Sequence, residues 1–160
     1  MICTIYDSPI GRLTLHSNGS ALTGLEFAKP KYRLPAAPRG EDRVLRQARR
    51  ELDRYFAGKL TKFSVATAAH GTPFQQRAWA ALRRIPYGAT RSYAEQAGAI
   101  GSPRACRAVG LANGKNPIAI IVPCHRVIGA DGSLTGFGGG LNRKKFLLDL
   151  ERRAARSTAR

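Results

Sequence analysis

The sequence predicts an α+β protein, in which a small N-terminal antiparallel sheet with one helix precedes a mainly helical segment that holds a helix-turn-helix and the active site. Short alternating runs separated by turn residues occupy the N-terminal end, whereas apolar residues recur at helical spacing in the second half. The break between the two patterns falls at His70-Gly71-Thr72-Pro73. This predicts one domain over residues 1–70 and a second over 71–160.

Three strands and one helix are predicted in the first segment. The strand-like runs cover residues 5–7, 13–16 and 21–27, and clusters of Ser, Pro, Asn and Gly separate them. Residues 29–42 contain three prolines and predict a loop. From Glu41 onward apolar residues recur at helical spacing until Gly58, which predicts a helix. Residues 63–66 predict a further strand.

The second segment begins with a helix that Thr72 caps and Pro73 opens, running to Arg84. Two short helices are predicted next, over residues 92–99 and 102–113, and the glycine between them favours a helix-turn-helix. An ordinary helical hairpin is the alternative. The apolar run over residues 118–122 predicts a buried strand or a strand-like segment, which ends at a proline.

Charge is the strongest compositional signal. The chain has 27 Lys and Arg against 10 Asp and Glu, a formal net charge of +17. Residues 1–70 hold 12 basic and 6 acidic side chains, and residues 71–160 hold 15 and 4, so the excess is concentrated in the second segment. This pattern predicts a polyanionic partner, most commonly nucleic acid. A generally arginine-rich surface without such a partner is the alternative.

The sequence favours a cytoplasmic protein. Its N-terminus has neither the basic nor the apolar region of a signal peptide, and the apolar run over residues 118–122 is far too short to cross a membrane. The three cysteines show no metal-binding spacing, so we expect free thiols, no required metal and no cofactor. Cys3 and Cys106 lie among apolar residues and are interpreted as packing residues.

Cys124 is the candidate nucleophile, because it follows the apolar run and precedes His125. A free thiol with a pKa of about 8.5 is a few per cent thiolate at neutral pH and needs a base. Side chains of adjacent residues diverge, so a bend or a bridging water must connect this pair. The residues fit either a Cys-His hydrolase or a group-transfer enzyme, and a structural cysteine in a DNA-binding regulator is a further alternative. The glycine-rich residues 129–140 fit a backbone wrapped around a flat ligand or a flexible hairpin.

The run Pro-Cys-His-Arg-Val-Ile-Gly at residues 123–129 resembles the active-site signature of the O6-alkylguanine-DNA alkyltransferases. Further agreement comes, in order, from residues 7–11, 73–76, 85–88, 92–93, 107–110 and 135–140. The resemblance implies irreversible, stoichiometric transfer of an alkyl group from O6-alkylguanine, and from O4-alkylthymine, in duplex DNA to Cys124. It also implies flipping of the base from the minor-groove side, a ribonuclease H-like first domain, and a monomer that binds cooperatively along DNA, on the nucleoid in a bacterium.

The resemblance also assigns roles in the chemistry. Cys124 resembles the family's nucleophile, and His125 the base that takes the thiol proton through a water. Glu151 resembles the carboxylate that orients this histidine, although pairing with a neighbouring arginine at the end of the helix is the alternative. Asn116 is similar to the residue that shapes the turn beside the cysteine, and Tyr93 to the phenol that donates to N3 of guanine. With a base so oriented, we expect the pKa of the thiol to fall towards about 6.

DNA contacts and the substrate pocket are implied in the same way. Arg107 resembles the arginine that fills the gap left by the flipped base, and Arg104, Ala105 and Ser92 match other DNA-binding positions. The residues that match the pocket are Val127, Phe137, Gly138 and Gly139. The chain departs from relatives that have serine at position 138, tyrosine at 137 and alanine at 106, and the zinc ligands of some members are not matched.

Overall fold

The computed structural model describes residues 1–158; the last two residues of the predicted second domain, 159 and 160, lie outside it. Three antiparallel strands, β1 (Ile2–Ser8), β2 (Gly11–Ser17) and β3 (Leu22–Phe27), form a sheet in the order β1-β2-β3. Helix α1 (Arg43–Phe56) packs on all three strands. The three predicted strands and the predicted helix are therefore confirmed.

The start of helix α1 and its buried face both follow from the local sequence. The side chain of Asp42 accepts a hydrogen bond from the backbone N–H of Leu45, which satisfies one of the free donors of the first turn. One face carries the buried residues Val44, Leu45, Ala48, Glu51, Leu52 and Tyr55. This face covers the sheet and places Tyr55 at the end of the helix, deep in the molecule.

The second half is mainly helical, as predicted. It contains α2 (Pro73–Arg83), α3 (Tyr93–Ala99), α4 (Cys106–Gly114) and α5 (Leu141–Thr158), with a short parallel pair of strands, β4 (Arg91–Ser92) and β5 (Val127–Ile128). Reciprocal hydrogen bonds of a capping box start α2 at Thr72 and Gln75. Helices α3 and α4 pack together and form the predicted pair of short helices, so the α+β class is confirmed.

Two predicted strands and one helix boundary were wrong. Residues 63–66 are irregular, and the nearest pairing is a single bridge between Thr67 and Leu22. Residues 118–122 form a turn, because Ile120 has a left-handed backbone (φ 72°) and the N–H of Val122 bonds back to the carbonyl of Ile118. The run is apolar because it packs in the core. Helix α4 begins at residue 106 instead of 102, since residues 102–105 form a turn.

A single hydrophobic core joins both halves of the chain. It includes residues of the sheet, of α1, of α2, of the turn over residues 118–122 and of α5, among them Leu25, Leu52, Trp79, Ile120 and Leu147. Ile118 also forms a bridge to Leu25 of β3. The segment that leads to the candidate nucleophile Cys124 is therefore fixed against the N-terminal sheet. Within residues 1–158 no helix has the length and apolar character to cross a membrane.

Candidate active site

Cys124 opens a 3-10 turn, Cys124–Arg126, directly after Pro123. Asn116 holds the segment that leads into this turn at both ends. Its side-chain Nδ2 donates to the carbonyl of Val122 at 2.8 Å, and its Oδ1 accepts from the N–H of Ile118 at 3.0 Å. The Asn116 amide thus closes the irregular segment that precedes the thiol.

His125 is completely buried behind the cysteine and is bonded to Glu151. Its Nε2 lies 2.6 Å from Glu151 Oε2. Since Glu151 is ionised, Nε2 carries the proton and donates it, which leaves Nδ1 with a lone pair. His125 Nδ1 is buried and has no hydrogen-bond partner among the described residues. The ring therefore presents a proton acceptor that the protein itself does not use.

Glu151 also pairs with Arg126, whose involvement the sequence reasoning missed. Arg126 Nε lies 2.8 Å from Oε1 and Nη2 lies 3.1 Å from Oε2, a bidentate pair, while Nη1 donates to the carbonyl of Ile85. The alternative of a neighbouring arginine on the helix is wrong, because this arginine lies two residues after the cysteine. Glu151 thus accepts hydrogen bonds from both His125 and Arg126.

The charge state of this buried group follows from its partners. Burial would raise the pKa of Glu151, but hydrogen bonds and charges from His125 and Arg126 outweigh it and lower the pKa to about 2. Burial lowers the pKa of His125, and the hydrogen bond and charge of Glu151 oppose this only in part. At neutral pH the site therefore holds a carboxylate, a guanidinium and a neutral imidazole.

The expected fall in the pKa of Cys124 was wrong. Burial raises the pKa of the thiol, and the opposing effects of the Asn116 side chain and the Lys144 charge are smaller. The free protein therefore holds a protonated thiol beside a neutral imidazole. Lys144, a second residue that the sequence reasoning missed, is fully buried and donates from Nζ to the carbonyls of Val127 at 2.6 Å and Thr135 at 2.8 Å.

A cleft lies in front of Cys124 and consists of two adjoining cavities, the larger of about 760 Å³. The larger cavity brings Cys124 together with Tyr93 and Arg107, which are far apart in the sequence. Phe137 and Gly138 line both cavities, whereas Gly139 lines the smaller one, together with Asn116. Cys106 also lines the larger cavity, so its interpretation as a packing residue was wrong.

Other predicted site residues lie outside the cleft lining. Val127 is fully buried in the core and lines neither cavity. Ser92 caps α3, and its hydroxyl accepts from the N–H of Glu95. Arg104 is exposed just before α4, and Ala105, the residue that precedes the helix, supplies no side-chain cap. The first N–H groups of α4 are thus left for an external acceptor.

Tyr93 and the glycine-rich segment are linked across the cleft. The Tyr93 hydroxyl donates to the carbonyl of Thr135 at 3.0 Å, the same carbonyl that accepts from Lys144. Donation from Tyr93 to a ligand would require this bond to open or to be shared. Within residues 1–158 no group of three His, Cys, Asp or Glu side chains is placed to hold a metal ion.

Comparisons with known proteins agree with this architecture. The model of the 6-O-methylguanine DNA methyltransferase DNA-binding domain matches residues 73–153, and the model of the ribonuclease-like domain of the same proteins matches residues 1–69. The methylated-DNA–protein-cysteine methyltransferases of Mycobacterium bovis and Methanosarcina barkeri are 57% and 53% identical to the chain. These alignments cover 93% and 94% of the chain and 91% and 97% of the relatives.

A solved structure is similar over nearly the whole chain. The crystal structure of Mycobacterium tuberculosis OGT in complex with DNA superposes with a TM-score of 0.90 at 55% identity, covering 96% of this chain and 94% of that one. Both family models and relatives of this identity together span both halves of the sequence. The chain therefore belongs to the 6-O-methylguanine DNA methyltransferase family of DNA-repair enzymes.

Proposed function

We propose that this protein repairs O6-alkylguanine in duplex DNA by moving the alkyl group irreversibly onto Cys124. The observation that carries the proposal is the buried, unpartnered Nδ1 of His125, directly after the cysteine in the chain and anchored through Nε2 to an ionised carboxylate. A thiol with a raised pKa needs such an acceptor when substrate binds. DNA is the proposed partner because the similar M. tuberculosis protein was solved in complex with it.

In the proposed reaction, the Cys124 thiol gives its proton to Nδ1 of His125 through a bridging water. Glu151 stabilises the imidazolium that forms, and the Lys144 charge stabilises the thiolate. The sulfur attacks the alkyl carbon, the bond from this carbon to guanine O6 breaks, and the electron pair leaves with the guanine. Tyr93 donates a hydrogen bond to N3 of the leaving guanine anion. The proton that His125 took from the thiol returns through water to this anion, which leaves neutral guanine in the DNA. The product is a thioether that water does not hydrolyse, so one protein repairs one lesion.

The base must leave the duplex before the sulfur can reach it. We propose that α4 enters the minor groove, where Gly110 lets its backbone approach closely, and that Arg107 fills the gap in the stack. Arg107 and Gly110 line the same cavity as Cys124, which supports a flipped base in this cleft. The uncapped N-terminus of α4, with Ala105 and Arg104 beside it, suits a phosphate. O4-alkylthymine is proposed as a further substrate.

The direct test is incubation with a duplex that contains one O6-methylguanine, followed by intact-mass measurement and peptide mapping. The proposal requires a permanent gain of one methyl group per protein, located on Cys124, and restored guanine in the DNA. An unmodified protein with turnover would favour a Cys-His hydrolase. DNA binding with intact lesions would favour a regulator. The monomeric state, cooperative binding and the cytoplasmic location stay predictions.

Arg107→Ala should slow repair in duplex DNA by about tenfold or more, because unstacking costs a few kcal/mol and the arginine offsets part of it. Its reaction with free O6-methylguanine base should stay close to that of the unchanged protein. Rates on both substrates, measured by loss of the methyl group, check this. Arg46→Ala on α1 removes an exposed arginine outside the cleft lining and serves as the control. Equal losses on both substrates would exclude the proposed role.

Gly138→Ser should be accepted and should speed repair severalfold, because a serine hydroxyl at this position can donate to guanine O6 as charge develops there. A Cβ at Gly138 would meet no atom within 4 Å, whereas one at Gly139 would lie 2.7 Å from the Phe27 ring. Gly139→Ser is therefore the matched control, with an expected loss of about 1–3 kcal/mol of stability from overpacking. Repair rates and thermal unfolding of the two variants separate the effects; a slower Gly138→Ser protein of normal stability would refute the expectation.

A further inference from the structure

The buried carboxylate of Glu151 has a third partner, which comes from the N-terminal half of the chain. Tyr55, at the end of α1, donates from its hydroxyl to Glu151 Oε2 at 2.6 Å. Both side chains are about 1% exposed, and 96 residues separate them in the sequence. The oxygen that accepts from Tyr55 is the same one that accepts from His125 Nε2. The Tyr55 hydroxyl therefore bonds to the same oxygen atom that orients the histidine.

We propose that Tyr55 is a positioning residue for alkyl transfer: its hydroxyl fixes Glu151 Oε2 against His125 and sets how strongly the carboxylate attracts the imidazole proton. This inference rests on the function proposed above. It assigns a role in the chemistry to a residue outside the second half of the chain, which holds Cys124, the cleft and the DNA-facing helix.

The hydrogen bonds at Glu151 show why one more donor matters. Oε2 accepts from Tyr55, from His125 and from Arg126 Nη2, whereas Oε1 accepts from Arg126 Nε. A carboxylate oxygen with three donors in a dry site is held in one orientation. Each donor also withdraws part of its negative charge. Loss of the hydroxyl would leave more negative charge at Oε2 for the histidine and would free the carboxylate to rotate.

The groups that face this pair come from several elements. They are Tyr55 on α1, Tyr87 after α2, Cys124 and Arg126 on the reactive turn, and Lys144 on α5. Tyr87 is half-buried, and its buried hydroxyl has no hydrogen-bond partner within the described part of the chain. Tyr55 is thus the tyrosine with a direct bond to the carboxylate.

Packing of the Tyr55 ring is separable from the action of its hydroxyl. The ring lies 5.3 Å from Phe56, 5.3 Å from Phe63 and 6.4 Å from Tyr87, measured between centroids. Phenylalanine keeps all three contacts and removes one oxygen atom. Tyr55→Phe therefore tests the hydrogen bond with the core left filled.

Tyr6→Phe is a matched control. The Tyr6 hydroxyl donates to Asp53 Oδ1 at 2.7 Å, so it also joins a tyrosine to a carboxylate, and Asp53 lies on the same helix two residues before Tyr55. Within residues 1–158, the Tyr6 hydroxyl bonds neither to His125 nor to Glu151, and Tyr6 lines neither cavity of the cleft. If the loss of any tyrosine–carboxylate hydrogen bond slowed the transfer, Tyr55→Phe and Tyr6→Phe would both be slower.

The experiment measures the rate of methyl transfer from a duplex with one O6-methylguanine as a function of pH, for the unchanged protein, Tyr55→Phe and Tyr6→Phe. We expect Tyr55→Phe to react about tenfold more slowly at neutral pH, because the freed carboxylate no longer holds the imidazole in one orientation. This factor corresponds to the loss of one hydrogen bond to a charged group. The acid limb of its profile should move to higher pH, because a more negative carboxylate holds the proton on His125. Duplex affinity should not change, and Tyr6→Phe should keep the original profile.

A second measurement distinguishes the proposed positioning role from a folding defect. In a Glu151→Gln background, Tyr55→Phe should change the rate little further, because both substitutions act on one hydrogen-bonded unit. Independent losses that multiply would show a structural role and overturn the inference. An unchanged rate and pH profile in Tyr55→Phe, or an equal loss in Tyr6→Phe, would also overturn it. If the unchanged protein gains no methyl group on Cys124, the proposed function fails instead, so the two failures are distinguishable.

Discussion

Cys124→Ala is expected to abolish alkyl transfer completely while duplex binding stays within about twofold. In the proposed reaction this residue supplies the attacking sulfur, and it carries no positive charge that would contact phosphate. The sulfur has no substitute in its turn, where the next two side chains are the buried His125 and Arg126. The measurement is methyl transfer from an O6-methylguanine duplex by intact mass, together with duplex affinity at two salt concentrations.

Cys106→Ser is the matched control for this prediction. Cys106 is a half-buried thiol that lines the same cavity as Cys124, so it would meet the same flipped base. We expect Cys106→Ser to keep most of the transfer activity. A methyl group found on Cys106 by peptide mapping, or an active Cys124→Ala protein, would show that the nucleophile has been assigned wrongly.

Glu151→Gln is expected to slow methyl transfer by about a hundredfold at neutral pH, the low end of the range for a positioned acid–base group. A neutral amide stabilises the imidazolium less than a carboxylate does, so the pKa of His125 falls further and the histidine becomes a weaker acceptor for the thiol proton. The check is the rate of Cys124 alkylation against pH. An unchanged rate and profile would remove Glu151 from the mechanism and leave His125 acting without it.

The same substitution has a defined effect on stability. Because the pKa of Glu151 is lowered from its ordinary value of 4.5 to about 2, its ionised form stabilises the folded protein above pH 4.5. This contribution, about 3 kcal/mol from the shift, should be lost as the pH falls from about 4.5 towards 2. In denaturant unfolding, the free energy of unfolding of Glu151→Gln should lie below that of the unchanged protein by a constant amount above pH 5. This difference should shrink as the pH falls below 5.

Glu51→Gln provides the control that separates stability from chemistry. Glu51 is a buried carboxylate on α1 that accepts from Gln47, from the hydroxyl and N–H of Ser64 and from the N–H of Val65. It lines neither cavity of the cleft. We expect it to lose about 1–3 kcal/mol of stability with little change in the rate of transfer. Slow transfer in both variants would mean that lowered stability, not the proton path, explains Glu151→Gln.

Much of the secondary structure was predictable because its causes are local. Asp42, Thr72 and Ser92 each cap the helix that follows them, within three residues along the chain. The β1–β2 turn at residues 8–11 likewise needs little beyond its own sequence. The same reasoning failed at residues 118–122, since an apolar run shows burial but does not distinguish a strand from a turn packed in the core.

The sequence by itself places a cysteine just after an apolar segment and directly before a histidine, and the motifs of the sequence identify the family. Tertiary structure decided which charges surround that pair. Tyr55 lies in the predicted helix before Gly58 and Arg126 in the motif over residues 123–129, and both bond to Glu151. Such contacts join side chains that are 96 and 25 residues apart, and no local periodicity records them. Burial also raised the pKa of Cys124 against the expected direction, because desolvation depends on how the whole chain packs around the thiol.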